Sequence, residues 1–176
     1  AGLYIQSNLD LELYNNSFNL TGSGKWLIID GSQVSAHHNL AITNSGRGVE
    51  IYNQSEGDIY NNTLISSSGD YGVYISDLTA PIVNSNIIEG FQNGIYDEND
   101  LPNNQLRFND LYNISNEAYS GTGLPVMIGN YVNEIATMAG GSVLADIYGN
   151  MNANPQFAMP DEGNYELQLI SPCINN

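Results

Sequence analysis

The feature that most constrains this chain is a repeat of about 23 residues, which runs from residue 2 to residue 114. Each repeat ends in the same six-residue motif. Its first and sixth positions are apolar, and its fourth position is usually Asn. The fourth position falls at residues 16, 39, 62, 85 and 109. A repeat of this length indicates a solenoid, because one unit cannot bury its apolar face alone and must stack on its neighbours.

The clearest repeat is Gly48–Leu64, which reads GVEIYNQSEGDIYNNTL. It contains two short runs in which small or apolar residues alternate with polar ones, and this period of two is typical of β-strands. A leucine-rich repeat has a similar length but requires a helical return, which these units lack. The sequence therefore predicts an all-β fold, a right-handed parallel β-helix with one coil per repeat.

The recurring asparagine has a structural role in such a fold. Coils of a parallel stack lie about 4.8 Å apart, so one Asn per coil forms a ladder whose amides bond each other and the backbone of the bend. We expect this asparagine ladder at Asn16, Asn39, Asn62 and Asn109, with Ser85 as its fifth member.

The alternation also assigns side chains to the core or the outer surface. In coil two it places Trp26 and Ile28 inward and Leu27 and Ile29 outward. In coil five it places Asp97 at an inward position, where an aliphatic residue is expected, and the acidic run Asp97-Glu98-Asn99-Asp100 predicts a bulged loop there.

The regular period argues for a single domain over the 176 residues. Residues 2–114 are predicted as regular coils, and 115–142 as a loop excursion with a short helix at Tyr131–Ala139. Residues 143–176 are predicted as the last coil and a C-terminal cap.

The charge is strongly unbalanced, with 19 acidic residues against three Lys and Arg and a formal net charge of −16. Binding to nucleic acid or to anionic membranes is thereby disfavoured, since it depends on clustered Lys and Arg.

The sequence has no cofactor fingerprint and no signal, transmembrane or lipidation motif. With Cys173 as its single cysteine it has no internal disulfide. Low lysine content with abundant Asn, Ser, Gly and Tyr favours a secreted or cell-surface protein.

The C-terminal segment carries a more specific pattern in three pieces. Asn154-Pro-Gln-Phe157 is followed by Gly163-Asn-Tyr-Glu-Leu-Gln168 and by Ser171-Pro-Cys-Ile-Asn175. This series resembles the closing segment of the right-handed parallel β-helix repeat proteins of bacterial surfaces, which belong to the pectate-lyase-like superfamily. The resemblance implies that these residues close the end of the helix. It leaves the activity open, because the group contains polysaccharide lyases, glycosidases, epimerases and adhesins.

Residues one period apart lie side by side in a coil stack, so the outer face of the first sheet can be predicted from the sequence. It displays tyrosines interleaved with carboxylates and amides, a combination that stacks on sugar rings and binds their hydroxyl groups. The alternative is that tyrosine simply covers a sheet face. The candidate carbohydrate-binding residues are Tyr4, Glu50, Tyr52, Tyr74 and Tyr96.

The turn after the first strand carries a second row of polar residues, namely Asp30, Asn53, Asp77 and Asn99. Oxygen ligands at about 5 Å spacing suit Ca²⁺, which takes six to eight of them, so Ca²⁺ is the one candidate cofactor. The alternative is a row chosen for local hydrogen bonds in turns.

A lyase needs a base and a cation that neutralises a uronate carboxyl group. Lys25 and Arg47 are predicted at the same edge of the first sheet and are catalytic candidates together with Glu50. A hydrolase needs two carboxylates about 5–9.5 Å apart, for which the pairs Glu50 with Asp30 and Asp77 with Asp97 qualify by position.

The neighbouring His37 and His38 point to opposite sides if both lie in a strand, which argues against a metal pair.

The sequence thus leads to an extracellular β-helix module that binds carbohydrate or serves as a scaffold or adhesin. The alternative is a polysaccharide-degrading enzyme, a lyase or glycosidase. A third interpretation, a spacer whose faces serve only assembly, is also compatible with the sequence.

Overall fold

The chain forms a parallel β-solenoid in which a coil of about 23 residues contributes one strand to each of three sheets. The fold is seen in a computed structural model. No helix among its described residues is long and apolar enough to cross a membrane. The described residues are 2–7, 10–76, 79–99, 105–121, 136–137, 144–145 and 148–174.

The first sheet has six parallel strands, whose neighbours in space are successive coils. Its strands are β1 (Leu3–Gln6), β4 (Leu27–Asp30), β7 (Val49–Tyr52), β10 (Tyr71–Ile75), β13 (Asn93–Asp97) and β16 (Glu117–Gly121).

The second and third sheets have five parallel strands each. The second contains β2 (Asp10–Tyr14), β5 (Gln33–His37), β8 (Glu56–Tyr60), β11 (Ile82–Asn84) and β14 (Leu106–Arg107). The third contains β3 (Ser17–Leu20), β6 (Leu40–Thr43), β9 (Thr63–Ser66), β12 (Ile87–Glu89) and β15 (Asp110–Tyr112). The sequence predicted two strands per repeat, and the third begins directly after the recurring Asn.

The core is a stack of aliphatic side chains from the inward positions of all three sheets. Val49, Val73 and Ile95 pair in register across β7, β10 and β13 and are fully buried. Burial of such aliphatic side chains stabilises the fold by about 1.5–3 kcal/mol each. Asp97 occupies the inward position but lies in β13 rather than in the predicted bulged loop. It is fully buried, and its Oδ1 accepts the backbone N–H of Asn99 at 2.8 Å.

The asparagine ladder is confirmed, with one correction. Its rungs are joined by hydrogen bonds from Nδ2 of each amide to Oδ1 of the next, at 3.0–3.1 Å. The fourth rung is Asn86 rather than Ser85. Val83 is the inward apolar residue before it, whereas Ile82, three positions before Ser85 in the repeated motif, is 36% exposed. The rungs are Asn16, Asn39, Asn62, Asn86, Asn109 and Asn150.

The residue before each rung explains why Ser85 was mistaken for one. Before the first five rungs this residue has a φ of 53–56°, in the left-handed region, and before the sixth it is Gly149 with a φ of 81°. The positive φ turns the chain from the second sheet into the third. The set is Asn15, His38, Asn61, Ser85 and Phe108. Ser85 is thus the bend residue of coil four, which contains one residue more than its neighbours.

Coil two departs from the prediction by one residue. Leu27 and Ile29 point inward and are buried, whereas Ile28 lies on the outer face. Trp26 is also buried, at the bend before β4, with its ring 5.9 Å from that of Phe18. Four consecutive apolar residues offer no alternation from which the strand register can be derived.

The predicted excursion begins later than residue 115. Glu117–Gly121 forms β16 and extends the first sheet by one strand. Ala136–Thr137 forms β17, which pairs antiparallel with β18 (Leu144–Ala145), so the predicted helix at Tyr131–Ala139 is wrong at these two residues. The rest of that predicted helix lies outside the described residues.

The C-terminal segment first continues the stack and then folds back along it. Met151 bridges Asp110 in parallel, and Asn150 provides the sixth rung. An antiparallel pair follows, β19 (Phe157–Met159) and β20 (Asn164–Leu167). The closing role predicted for this segment stays a prediction.

Candidate functional site

The outer surface of the first sheet, called here the first-sheet face, brings most predicted site residues together. The register aligns Tyr4 with Ile28, Ile28 with Glu50, Glu50 with Tyr74, and Tyr74 with Tyr96. A second column begins with Gln6, Asp30 and Tyr52. Asp30 therefore belongs to this face rather than to the following turn.

Asp30 is the centre of the first cluster on this face. Its carboxylate accepts hydrogen bonds from the Tyr4 hydroxyl at 2.5 Å, from Nε2 of Gln6 at 2.9 Å and from Nδ2 of Asn53 at 2.7 Å. These donors, Tyr4 foremost, lower the pKa of Asp30 below its ordinary value. The bond to Asp30, and then that to the Tyr52 hydroxyl, raise the pKa of Tyr4. The ring of Tyr4 remains 48% exposed.

Glu50 is the centre of the second cluster. One carboxylate oxygen binds Nζ of Lys25, and the other accepts Nη1 of Arg47 at 2.5 Å. Both candidate cations thus bind the same carboxylate.

Tyr74 is held between two partners. Its ring stacks on Tyr96, with centroids 4.8 Å apart and planes at 12°. Arg47, from the coil on the opposite side, places its guanidinium carbon 4.0 Å from the Tyr74 centroid. Both faces of this ring are thus covered, and its hydroxyl donates to Glu98 at 2.8 Å. Burial and Glu98 raise the pKa of Tyr74 to about 12.

Tyr71 belongs to the same aromatic group but was missed by sequence reasoning. Its ring centroid lies 5.3 Å from those of Tyr74 and Tyr96 and 5.1 Å from the Arg47 guanidinium. Tyr71 lies two positions before the inward Val73, so alternation along the strand would place it in the core. The alternation fails at Tyr71 because this residue is the first of β10.

The predicted calcium row is only partly described. Asp77 lies outside the described residues, and Asn53 directs its Nδ2 group, a donor, at Asp30. The described part of the chain holds no group of three or more His, Cys, Asp or Glu side chains that could bind a metal ion. A calcium site at this row stays a prediction.

Two further expectations about chemistry are corrected. Asp97 is fully buried and points inward, so it cannot pair with Asp77 at a surface site as a glycosidase requires. His37 and His38 do not point to opposite sides, because His38 lies in the left-handed bend, and their Nδ1 atoms are 2.8 Å apart.

A cleft that the sequence did not indicate lies where the C-terminal segment meets the third sheet. It encloses about 320 Å³ and is lined by Asn62, Asn86, Asp110 and Cys173 among others. Asp110 accepts the backbone N–H of Ala153 at 2.9 Å and lies 3.1 Å from the Cys173 sulfur.

Burial governs both groups in this cleft. Burial raises the pKa of Asp110 to about 7 and also raises that of the Cys173 thiol. Cys173 is therefore a protonated and weakly nucleophilic thiol at neutral pH. No periodic signal could have found this pair, because Cys173 lies beyond the repeats.

The fold and these side-chain clusters define the molecule as a parallel β-solenoid with a polar and aromatic outer face. Comparison with protein-family models, curated proteins and solved structures gave no significant match. The resemblance of the C-terminal segment to β-helix repeat proteins therefore stays a prediction.

Proposed function

We propose that this chain is an extracellular or cell-surface β-helix module that binds carbohydrate on its first-sheet face without transforming it. The observation that carries the proposal is the Asp30 cluster, in which an exposed tyrosine ring lies beside a hydrogen-bonded carboxylate. Sugar rings stack on aromatic faces while their hydroxyl groups bond carboxylates and amides.

The ring available for stacking is that of Tyr4. It is 48% exposed and has no stacked aromatic partner among the described residues. Its hydroxyl is anchored to Asp30 at 2.5 Å, which fixes the side chain before a ligand arrives and lowers the entropy cost of binding. Tyr52, which follows Asp30 in the second column, extends the surface. Tyr74 presents its hydroxyl and ring edge instead, since both faces of its ring are covered.

Charge selects the class of glycan. A net charge of −16 repels uronate and sulfated polymers, so a neutral polysaccharide is the favoured ligand. Binding of a neutral glycan also requires no calcium bridge.

The arrangement around Glu50 favours binding over lyase chemistry. Lys25 and Arg47 both bind the Glu50 carboxylate, and Arg47 also covers Tyr74. A lyase would need one of these cations for the substrate carboxyl group and an unoccupied base beside it.

The test is a binding titration with neutral and uronate polysaccharides. Tyr4→Ala and Tyr52→Ala are each expected to weaken binding of a neutral glycan about tenfold, which equals about 1.4 kcal/mol. Tyr14→Ala is the matched control, because Tyr14 is 54% exposed and lies on the second sheet. Circular dichroism of each variant checks that the fold is intact.

Two other outcomes decide against the proposal. Release of unsaturated products or reducing ends, abolished by Glu50→Gln, would identify a polysaccharide-degrading enzyme. Absence of any retained glycan at millimolar chain concentration would support the spacer interpretation.

A further inference from the structure

The second sheet carries two histidines in an arrangement unlike any other in the described chain. His37, the last residue of β5, has its ring between those of Tyr14 and Tyr60, with centroids 5.5 and 4.7 Å away and planes within 15°. His38 follows with a φ of 54°, which turns its exposed side chain to the same outer surface. The two Nδ1 atoms are 2.8 Å apart.

A carboxylate determines which nitrogen of His37 is free. Oε1 of Glu12 lies 2.9 Å from Nε2 of His37. A carboxylate only accepts, so Nε2 carries the hydrogen and Nδ1 keeps its lone pair. Without a ligand, Nδ1–H of His38 donates to that lone pair. When the hydrogen of His38 lies on its Nε2 atom instead, two lone pairs face the same point.

The spacing of these nitrogens matches one coordination geometry better than another. Metal–nitrogen bonds of about 2.0–2.1 Å at a right angle place two ligating nitrogens about 2.8–3.0 Å apart. A tetrahedral angle would require about 3.3–3.4 Å for the same bond lengths. Right angles are preferred by Cu²⁺ and Ni²⁺ in tetragonal sites, and imidazole suits both ions.

We propose that His37 and His38 form a Cu²⁺-binding site on the second sheet, with both Nδ1 atoms as ligands and water in the remaining positions. Cu²⁺ is favoured over Ni²⁺ and Zn²⁺ by the general order of divalent metal affinities. Glu12 is a positioning residue, since a metal-binding imidazole usually donates its other N–H to a carboxylate. Tyr14 and Tyr60 hold the His37 ring in place, and the hydrogen of His38 moves to its Nε2 atom when the metal binds.

This site is independent of the proposed carbohydrate binding, because it lies on the second sheet. The described residues hold no group of three or more His, Cys, Asp or Glu side chains that could bind a metal ion, so the proposed site has two protein ligands and is completed by water. Water ligands leave the bound ion open to exchange.

The test is a Cu²⁺ titration of the full chain without an affinity tag, followed by calorimetry and by electron paramagnetic resonance. We expect one Cu²⁺ per chain with a spectrum showing two nitrogen ligands, undisturbed by millimolar Ca²⁺. His38→Gln should weaken binding at least about tenfold and leave one nitrogen in the spectrum. Glu12→Gln should weaken binding about tenfold, the lower end of the range for such supporting carboxylates.

Glu56→Gln is the matched control, since Glu56 is an exposed acid of the same sheet and should leave affinity unchanged. Equal affinity in the parent and in His38→Gln would show that carboxylates of this acidic chain hold the ion, and would overturn the site. A spectrum with oxygen ligands only, or no binding, would do the same. Unchanged affinity in Glu12→Gln would overturn the positioning role.

Discussion

The side-chain amides of Asn62 and Asn86 are joined by a hydrogen bond of 3.1 Å, from Nδ2 to Oδ1, although 24 positions separate them. The same Oδ1 of Asn86 accepts the backbone N–H of Asn62 at 3.0 Å. Nδ2 of Asn86 donates to the carbonyl of Ile59 at 2.8 Å. One buried side chain thus satisfies three groups of the preceding coil.

Replacement of Asn86 by Leu is expected to lower the free energy of unfolding by about 2–4 kcal/mol. The reason is that more than one buried polar group loses its partner, and each such loss costs about 1–3 kcal/mol. Ser85→Ala is the control, because it removes only a hydroxyl that donates to the neighbouring Asn84 side chain, and it should cost less than about 1 kcal/mol. Urea denaturation of both variants measures the difference. Equal destabilisation would show that the ladder does not pass through Asn86.

The Glu50 ion pairs predict a salt-dependent loss of stability. Glu50→Gln should lower the free energy of unfolding by about 1 kcal/mol, a value discounted because Lys25 and Arg47 are partly exposed. The loss should shrink at high ionic strength, since salt screens such pairs. Thermal melts in low and high salt test this, with Glu56→Gln as the unpaired control. A loss of stability that is the same in low and high salt would mean that Glu50 acts through packing rather than through charge.

Asp110 predicts a particular pH dependence. Its pKa rises from 3.8 to about 7 on folding, so between those values the folded chain holds a proton that the unfolded chain has lost. Stability from this group is therefore complete below about pH 4 and falls as pH rises towards 7, by at most about 1.4 kcal/mol per pH unit.

Asp110→Asn should remove this dependence. The variant should match the parent near pH 4 and exceed it at pH 8, because the amide carries no buried charge. Unfolding curves between pH 4 and pH 8 provide the measurement, with the exposed Asp161→Asn as control. Parallel stability curves for Asp110→Asn and the parent would contradict the assignment.

Calcium is expected to leave the melting temperature unchanged. The Asp30 carboxylate already accepts three hydrogen bonds from the chain, and these occupy the lone pairs with which it would bind a cation. Melting curves in millimolar Ca²⁺ and in chelator test this expectation. A rise in melting temperature with Ca²⁺, lost in Asp30→Asn, would instead establish the predicted calcium row.

Much of the coil stack could be predicted from the sequence wherever apolar and polar residues alternate clearly. The period, the ladder residues Asn16, Asn39, Asn62 and Asn109, and inward Asp97 follow directly from position. The errors have local causes. All four residues of Trp26–Ile29 are apolar, so no alternation shows which of them point inward. Coil four contains one extra residue, and the regular period therefore fell on Ser85 instead of Asn86.

The clusters were harder to predict than the sheets. Alignment by period placed Lys25 and Arg47 at one edge, but only side-chain conformations show that both bind Glu50. His38 depends on a positive φ that a period of two does not reveal. The pairing of Asp110 with Cys173 joins the last part of the chain to coil five, a contact without any repeat.

The bond between Asn109 and Asn150 crosses 41 residues with the same 3.1 Å geometry as bonds between adjacent repeats. The spacing between rungs is therefore free to vary while the bend itself is maintained. During evolution, this corner can receive inserted segments at the modest entropic cost of a longer loop, and the coils on either side keep their register. For protein engineering, the segment that follows β16 after Gly121 is the place to graft a foreign loop onto the stack.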